Sequence, residues 1–172
     1  KLPLECLQVA EYSFFDWLVV SGAGSGEPAA AIVKQFINQE GGNLISSVVG
    51  CDTKTSPHLA ALANGTISHA LDYDDTHFQH IGHLSAAIFP ALLALGESAN
   101  KTYFDVIDSF LIGAEAAILV GETLGMEHYK AGFHQTATAG CFGATIALCR
   151  LMDLTQTQRY HALGLASTMA SG

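Results

Sequence analysis

At 172 residues the chain is long enough for one domain with a substantial core, and its formal net charge of -9, with seven lysines and arginines in all and no basic cluster, argues against nucleic-acid binding. The 49% hydrophobic content sits beside only 13% charged residues, where about a quarter is usual. Much of the surface is therefore expected to be covered, by a second copy or by further polypeptide.

The apolar pattern is helical almost throughout. Cys6, Val9, Ala10, Phe14, Trp17 and Leu18 recur at helical spacing and predict a first helix ending before Gly22. Pro28 opens a second, over Ala29 to Gln39, stopped by Gly41 and Gly42. Leu44 to Cys51 is the one β-like run, predicted as a short strand pair or an extended excursion. A third helix begins at Pro57 and runs to about Leu71. After a polar loop comes an apolar helix to about Glu97, with Pro90 either kinking it or marking its first turn. Phe104 to Gly125, Gln135 to Met152 and Gln156 to Ala170 complete the set, the last capped by Asp153 or Thr155. Gly140, Gly143, Ala144 and Ala147 fall near one face and permit close helix approach. The predicted fold class is all-α, a compact helical bundle without repeats or linkers.

The most apolar window, Phe110 to Gly121, contains Glu115 and is shorter than the roughly twenty residues that span a bilayer. No N-terminal signal segment is visible, so the expectation is a soluble protein with no membrane partner. Its expected place is the cytoplasm, or the mitochondrial matrix in a eukaryote. The chain begins at Lys1 and stops at Gly172 within ALGLASTMASG, which reads as part of a longer polypeptide. Four widely spaced cysteines offer no CxxC site, and Cys141 and Cys149 lie about 12 Å apart by helix rise, so reduced thiols are expected.

Two polar segments interrupt the apolar pattern. The first carries His69, Asp72, Asp74, Asp75, Thr76, His77, His80 and His83 between two apolar helices. Charged groups are buried reluctantly unless paired or working, so this segment is expected to hold a proton-transfer site. The second, Ala131 to Thr138, carries His134 and Thr136. His134 precedes a helix start, whose partial positive charge and free N–H groups disfavour imidazolium, so the ring stays neutral as a general base must. Both segments are expected to meet in one cavity.

Competing readings are weaker. Ser21 to Glu27 has glycines spaced G-x-G-x-G after a helix, which suits an inter-helix turn better than a phosphate loop. His77, His80 and His83 spell H-x-x-H-x-x-H, but the H-E-x-x-H pattern of a metalloprotease is absent, and no metal is expected. His58, His128 and His161 stand alone and are read as surface or filler. Lys130 is the one cation beside either segment.

The segments NGTISHALDYDDTH, GHLSAAIFPALLALGE, YKAGFHQTATAGCFGATIALCRLMDLT and ALGLASTMASG strongly resemble the MmgE/PrpD family, in its motif order, from about Leu7 to Gly172. That family contains 2-methylcitrate dehydratase, cis-aconitate decarboxylase and iminodisuccinate epimerase. The resemblance implies that residues 1–172 are the N-terminal part of one all-helical domain. The remaining helices and a smaller α/β lid domain would lie beyond. It implies a cofactor-independent lyase, metal-free and homodimeric, acting on a small di- or tricarboxylate. A 2-methylcitrate dehydratase-like dehydration is placed first, with decarboxylation or epimerisation as alternatives.

By position, Asp72 and Thr76 match the family's D-Y/F-D-D-T motif, and His134 its G-F/W-H-x-T motif. His83 matches the histidine of H-P-S-G/S, although here the segment reads His-Leu-Ser-Ala and His80 is the fallback. The implied catalytic residues are His134, His83 and Asp72, with Thr76, Thr136 and His80 binding substrate. Which imidazole is acid and which is base stays open. The family's active-site lysines and a tyrosine would lie after Gly172. A non-catalytic helical association protein is the reading from another class.

Overall fold

The structure is a computed structural model that describes residues 3–172. Those residues form seven α-helices and no strand, as the all-α expectation has it. They are α1 (Leu4–Gly24), α2 (Pro28–Glu40), α3 (Pro57–Ser68), α4 (Ser85–Ser98), α5 (Tyr103–Lys130), α6 (Gln135–Leu151) and α7 (Gln156–Met169).

Local chemistry explains most of the boundaries. Pro28 and Pro57 each occupy the first turn of their helix, where a missing N–H costs nothing. Gly41 closes α2 at φ 70°, its N–H returning to the Ile37 carbonyl. Reciprocal capping boxes start α5, between Thr102 and Asp105, and α7, between Thr155 and Gln158.

Other boundaries differ from the sequence expectation. α1 runs on through Gly24 instead of stopping before Gly22, so most of the predicted glycine-rich turn is helix. There Ser21 donates its hydroxyl to the Trp17 carbonyl at 2.6 Å, and Gly24 abuts the Ile67 carbonyl of α3, leaving no room for a Cβ. Pro90 is inside α4, beyond its first turn. α5 passes the predicted stop at Gly125, whose φ of 63° breaks the helix before it resumes to Lys130. The buried Gln135 side chain repairs that break by donating to the Gly121 and Gly125 carbonyls at 3.2 and 3.1 Å. The β-like run makes a single antiparallel bridge, Ser46 with Thr55. Side chains replace a strand partner there. Asn64 accepts from the Val49 N–H and donates to the Ser47 carbonyl, both at 2.9 Å, and Ser46 donates to the Ala94 carbonyl.

The main core gathers Trp17, Ile88, Phe89, Leu92, Ile107, Phe110, Ala117, Ala147 and Leu151. Phe89 stacks on Phe110 at 4.0 Å, with Phe14 edge-on to Phe89. Burying each such large side chain stabilises by about 1.5–3 kcal/mol. A smaller cluster joins α2 and α3 through Ala30, Val33, Ile37, Leu59, Ala63 and Ile67. The small residues of α6 do what their spacing suggests. A Cβ on Gly143 would meet Ala117 at 2.8 Å, and one on Gly113 would meet Ala147 and the Gly143 carbonyl at 2.6 Å. α5 and α6 therefore pack backbone to backbone, which fixes the start of α6 beside the loop leading into α4. The outer face of α1 leaves Val9, Tyr12, Phe15 and Val19 exposed, the structural counterpart of the low charge content. All four cysteines are free.

Candidate active site

The polar segment begins where α3 ends. His69 follows the last helical residue, and the chain turns through Asp72, which holds a left-handed φ of 56°. Aspartate tolerates that conformation better than most residues. The turn drives Asp74 inward, so that its side chain is wholly buried. Asp75 then caps α4, its carboxylate accepting from the Ser85 N–H at 3.0 Å and the Ser85 hydroxyl at 2.6 Å. A short loop closed by the His77–Gly82 bridge returns the chain at His83.

Four of these side chains converge. His69 Nδ1 lies 2.8 Å from Asp74 Oδ1, and His83 Nδ1 lies 3.1 Å from both Asp74 Oδ2 and the Asp74 carbonyl. On the far side, Asp72 Oδ1 is 3.2 Å from His83 Nε2 and 3.9 Å from His69 Nε2. The rings stand 4.6 Å apart at 64°. The hydrogen bond with Asp74 raises the His69 pKa above its ordinary 6.5, outweighing the opposing effect of burial, and the charges of Asp74 and Asp72 add to it. Asp16 of α1 comes up against the same loop. Burial and the nearby charges of Asp75 and Asp74 push its carboxyl pKa up. Among the described residues no lysine or arginine pairs with Asp72, Asp74 or Asp75.

The second polar segment reaches the same place. His134 is the N-cap residue of α6, exposed, with its ring edge-on to Tyr129 at 5.6 Å. A cleft of about 330 Å³ is lined by His69, His134 and Thr136 together with Gly65, Ala86 and Ala87. The Thr136 hydroxyl oxygen accepts from the His83 N–H at 2.9 Å, and Gly82 lies so close that a Cβ would sit 2.7 Å from that oxygen. The start of α6 is thus stitched to the His83 loop.

The structure distributes the sequence candidates unevenly. His83 and Asp72 fall in the cluster, and His134 and Thr136 line the adjoining cleft. Thr76 is exposed and takes part in no side-chain hydrogen bond among the described residues. His80 as a substrate contact is corrected: it is fully buried, and its Nδ1 donates to the Ala117 carbonyl at 3.1 Å. Desolvation by burial lowers its pKa below the ordinary 6.5. The H-x-x-H-x-x-H pattern consequently does not converge, and the set that does is His69, Asp72, Asp74 and His83. In the sequence, His69 and Asp74 stand out only as part of the polar segment. Their signal was polarity at the end of an apolar helix, which does not say which side chain turns inward.

His80 depends on Gly121 of α5, where a Cβ would sit 2.8 Å from its Nδ1 and 2.9 Å from its Cα and carbonyl oxygen. Two of those atoms are backbone, so the loop itself must move. Gly121→Ala is expected to destabilise by about 1–3 kcal/mol, the usual cost of overpacking. Chemical denaturation measures it, and an unchanged midpoint would show that the loop yields freely.

Comparison with known proteins agrees with this architecture. The family described as the MmgE/PrpD N-terminal domain matches residues 1–172. Similar proteins include the cis-aconitate decarboxylase-like protein oryM of Aspergillus oryzae, 26% identical over 99% of this chain and 37% of its own length. The cis-aconitate decarboxylase of Aspergillus terreus is 27% identical over 99% of this chain and 36% of its own. The human cis-aconitate decarboxylase is 26% identical over 95% of this chain and 35% of its own. The chain thus spans little more than a third of the length of the curated relatives it matches. With a family match over its whole length and an all-helical fold to accompany it, the chain belongs to the MmgE/PrpD family.

Proposed function

We propose that this chain is the N-terminal part of a cofactor-independent lyase. The substrate is a small di- or tricarboxylate, and the reaction moves a proton at the carbon next to a carboxylate. The observation that carries the reading is the pair of imidazoles clamped by a buried aspartate beside a cleft that a third imidazole enters. A carbanion next to a carboxylate is poorly stabilised, so the reaction needs a positioned base or acid and compensation for the developing charge. His134, exposed at the start of α6, is the proton-transfer group that meets substrate. His83 is its partner, fixed by Asp74 and facing Asp72. Thr76 and Thr136 supply hydroxyls.

Within this class the relatives favour decarboxylation of an unsaturated tricarboxylate over the 2-methylcitrate dehydration that the sequence put first. In decarboxylation the C–C bond to the leaving carboxylate breaks, CO₂ departs, and the electron pair left on carbon takes a proton from an imidazolium. A buried Asp74 anion between two rings favours keeping such a proton at hand. Dehydration instead removes a proton from carbon and delivers one to the leaving hydroxyl, with the same groups exchanging roles.

The test is turnover of cis-aconitate, 2-methylcitrate, citrate and iminodisuccinate by the full-length protein. One of the four is expected to exceed the others by at least about tenfold, a difference of roughly 1.4 kcal/mol in transition-state binding. Inertness towards all four would remove the lyase reading and favour the helical association protein.

A further inference from the structure

His69, His83 and Asp72 turn three lone-pair donors towards one small space. Both Nδ1 atoms face acceptors of Asp74, at 2.8 Å from His69 and 3.1 Å from His83. A proton on each Nδ1 satisfies those acceptors, so a neutral ring presents Nε2 as a bare lone pair. The two Nε2 atoms look towards Asp72 Oδ1, at 3.9 and 3.2 Å. Three such donors repel one another unless a proton or a cation lies between them.

Their spacing suits a cation. Neighbouring ligands in a tetrahedral or octahedral shell at the ~2.0–2.2 Å typical of zinc stand about 3.0–3.5 Å apart. His83 Nε2 already stands at such a distance from Asp72 Oδ1, the His69 contact must close by a few tenths of an ångström, and the ligand atoms of the cluster all lie within 4.8 Å of one another. Asp74 is the independent observation. Its side chain is wholly buried, yet Oδ2 has no properly directed hydrogen bond, the nearby His83 ring Nδ1–H being directed to the Asp74 carbonyl. A buried carboxylate oxygen left in that state is costly unless positive charge lies close by. Two imidazoles and a carboxylate form a donor set for zinc and its neighbours in the transition series, and a carboxylate behind the ligating rings is a recurring way to orient them.

We propose that His69, His83 and Asp72 form a binding site for a borderline divalent cation, zinc first, with the buried Asp74 orienting both rings. The cation would be bound through dative bonds from the two Nε2 atoms and one Asp72 oxygen, with water completing the shell. Its consequence for activity rests on the proposed function. A metal on Nε2 takes the lone pair that proton transfer needs, so it acts as an inhibitor and not as a cofactor.

The experiment is calorimetric titration of the chelator-stripped full-length protein with zinc chloride in a buffer that does not bind zinc. One site per chain is expected. Asp74→Asn should weaken it about 10–100-fold, the usual effect of removing an outer carboxylate. Asp72→Asn should weaken it as well, and Asp72 is exposed enough for that variant to fold normally. His161→Ala, on the exposed side of α7, should leave it unchanged. No binding at millimolar zinc, or a stoichiometric site that keeps its affinity in both Asp72→Asn and the His69→Ala/His83→Ala double variant, would overturn the proposal. Turnover is read in parallel. Stoichiometric binding without inhibition upholds the site and removes His83 from proton transfer, whereas inhibition without a stoichiometric site overturns the metal proposal alone.

Discussion

Replacing His134 by alanine in the full-length protein is expected to lower turnover by about 10²–10⁴-fold, the range for losing a general acid or base. The structure makes this a clean experiment. His134 is exposed, and although it is the N-cap residue of α6 its side chain makes no capping hydrogen bond. Its backbone carbonyl, which an alanine keeps, accepts from Ala137 and Thr138 at 3.0 and 3.1 Å. The substitution therefore removes an imidazole without removing a cap, and the denaturation midpoint should hardly move. His83→Ala is a less readable companion. It strips a partner from a buried carboxylate, an effect of about 1–3 kcal/mol on stability that would mix with any effect on chemistry. Turnover within a few-fold of wild type in His134→Ala would shift the proton-transfer role to His69, the other imidazole lining the cleft.

The part of the fold that was legible in the sequence is the part decided locally. Thr155 with Gln158, Pro28 and Gly41 each satisfy or spare the orphan groups of their own helix end, and their signals sit within one turn of the boundary. The misplaced boundaries are those decided at a distance. α5 outlives its break at Gly125 because Gln135, on the next helix, takes up the Gly121 and Gly125 carbonyls. The stretch around Ser46 to Val49 forgoes a second strand because Asn64 of α3 and Ala94 of α4 supply its partners.

The site divides along the same line. Breaks in the apolar pattern pointed to the segments holding Asp72, His83 and His134, since polar residues between apolar helices are visible in one dimension. Nothing local separates His80, which fills the space left by Gly121, from His69, which opens onto the cleft. Asp16 gave no signal at all. It lies on a helix surface in the sequence, and only the packing of α1 under the loop brings it near Asp74 and Asp75. An all-helical fold could be read from periodicity, while the inward turn of Asp74 depends on a left-handed residue at Asp72 that the sequence does not announce.

The 172-residue chain on its own is expected to turn over substrate about two to four decades more slowly than the full-length protein. The electrostatics of the cluster carry this expectation. Asp72 is exposed beside the cleft, Asp74, Asp75 and Asp16 add carboxyls behind it, and among the described residues the groups paired with Asp72 and Asp74 are imidazoles. Lys130, the cation that the sequence places nearest, is held by Glu127 at 2.7 Å and is exposed. Lys54 pairs with Glu97, and Arg150 with Asp108. On the proposed function, a dianion or trianion entering here meets repulsion with little to offset it, and the clamps for its carboxylates are expected from residues outside this chain. Each charge-assisted hydrogen bond to such a group contributes about 1.5–3 kcal/mol. Lacking two of them costs about 3–6 kcal/mol, which at roughly 1.4 kcal/mol per decade gives the stated loss. The measurement is a paired assay of the two proteins on the same substrate panel, with circular dichroism to show that the short chain keeps its helices. Near-equal rates would mean that imidazoles alone stabilise the developing charge, and that the site is complete between His69 and Thr136.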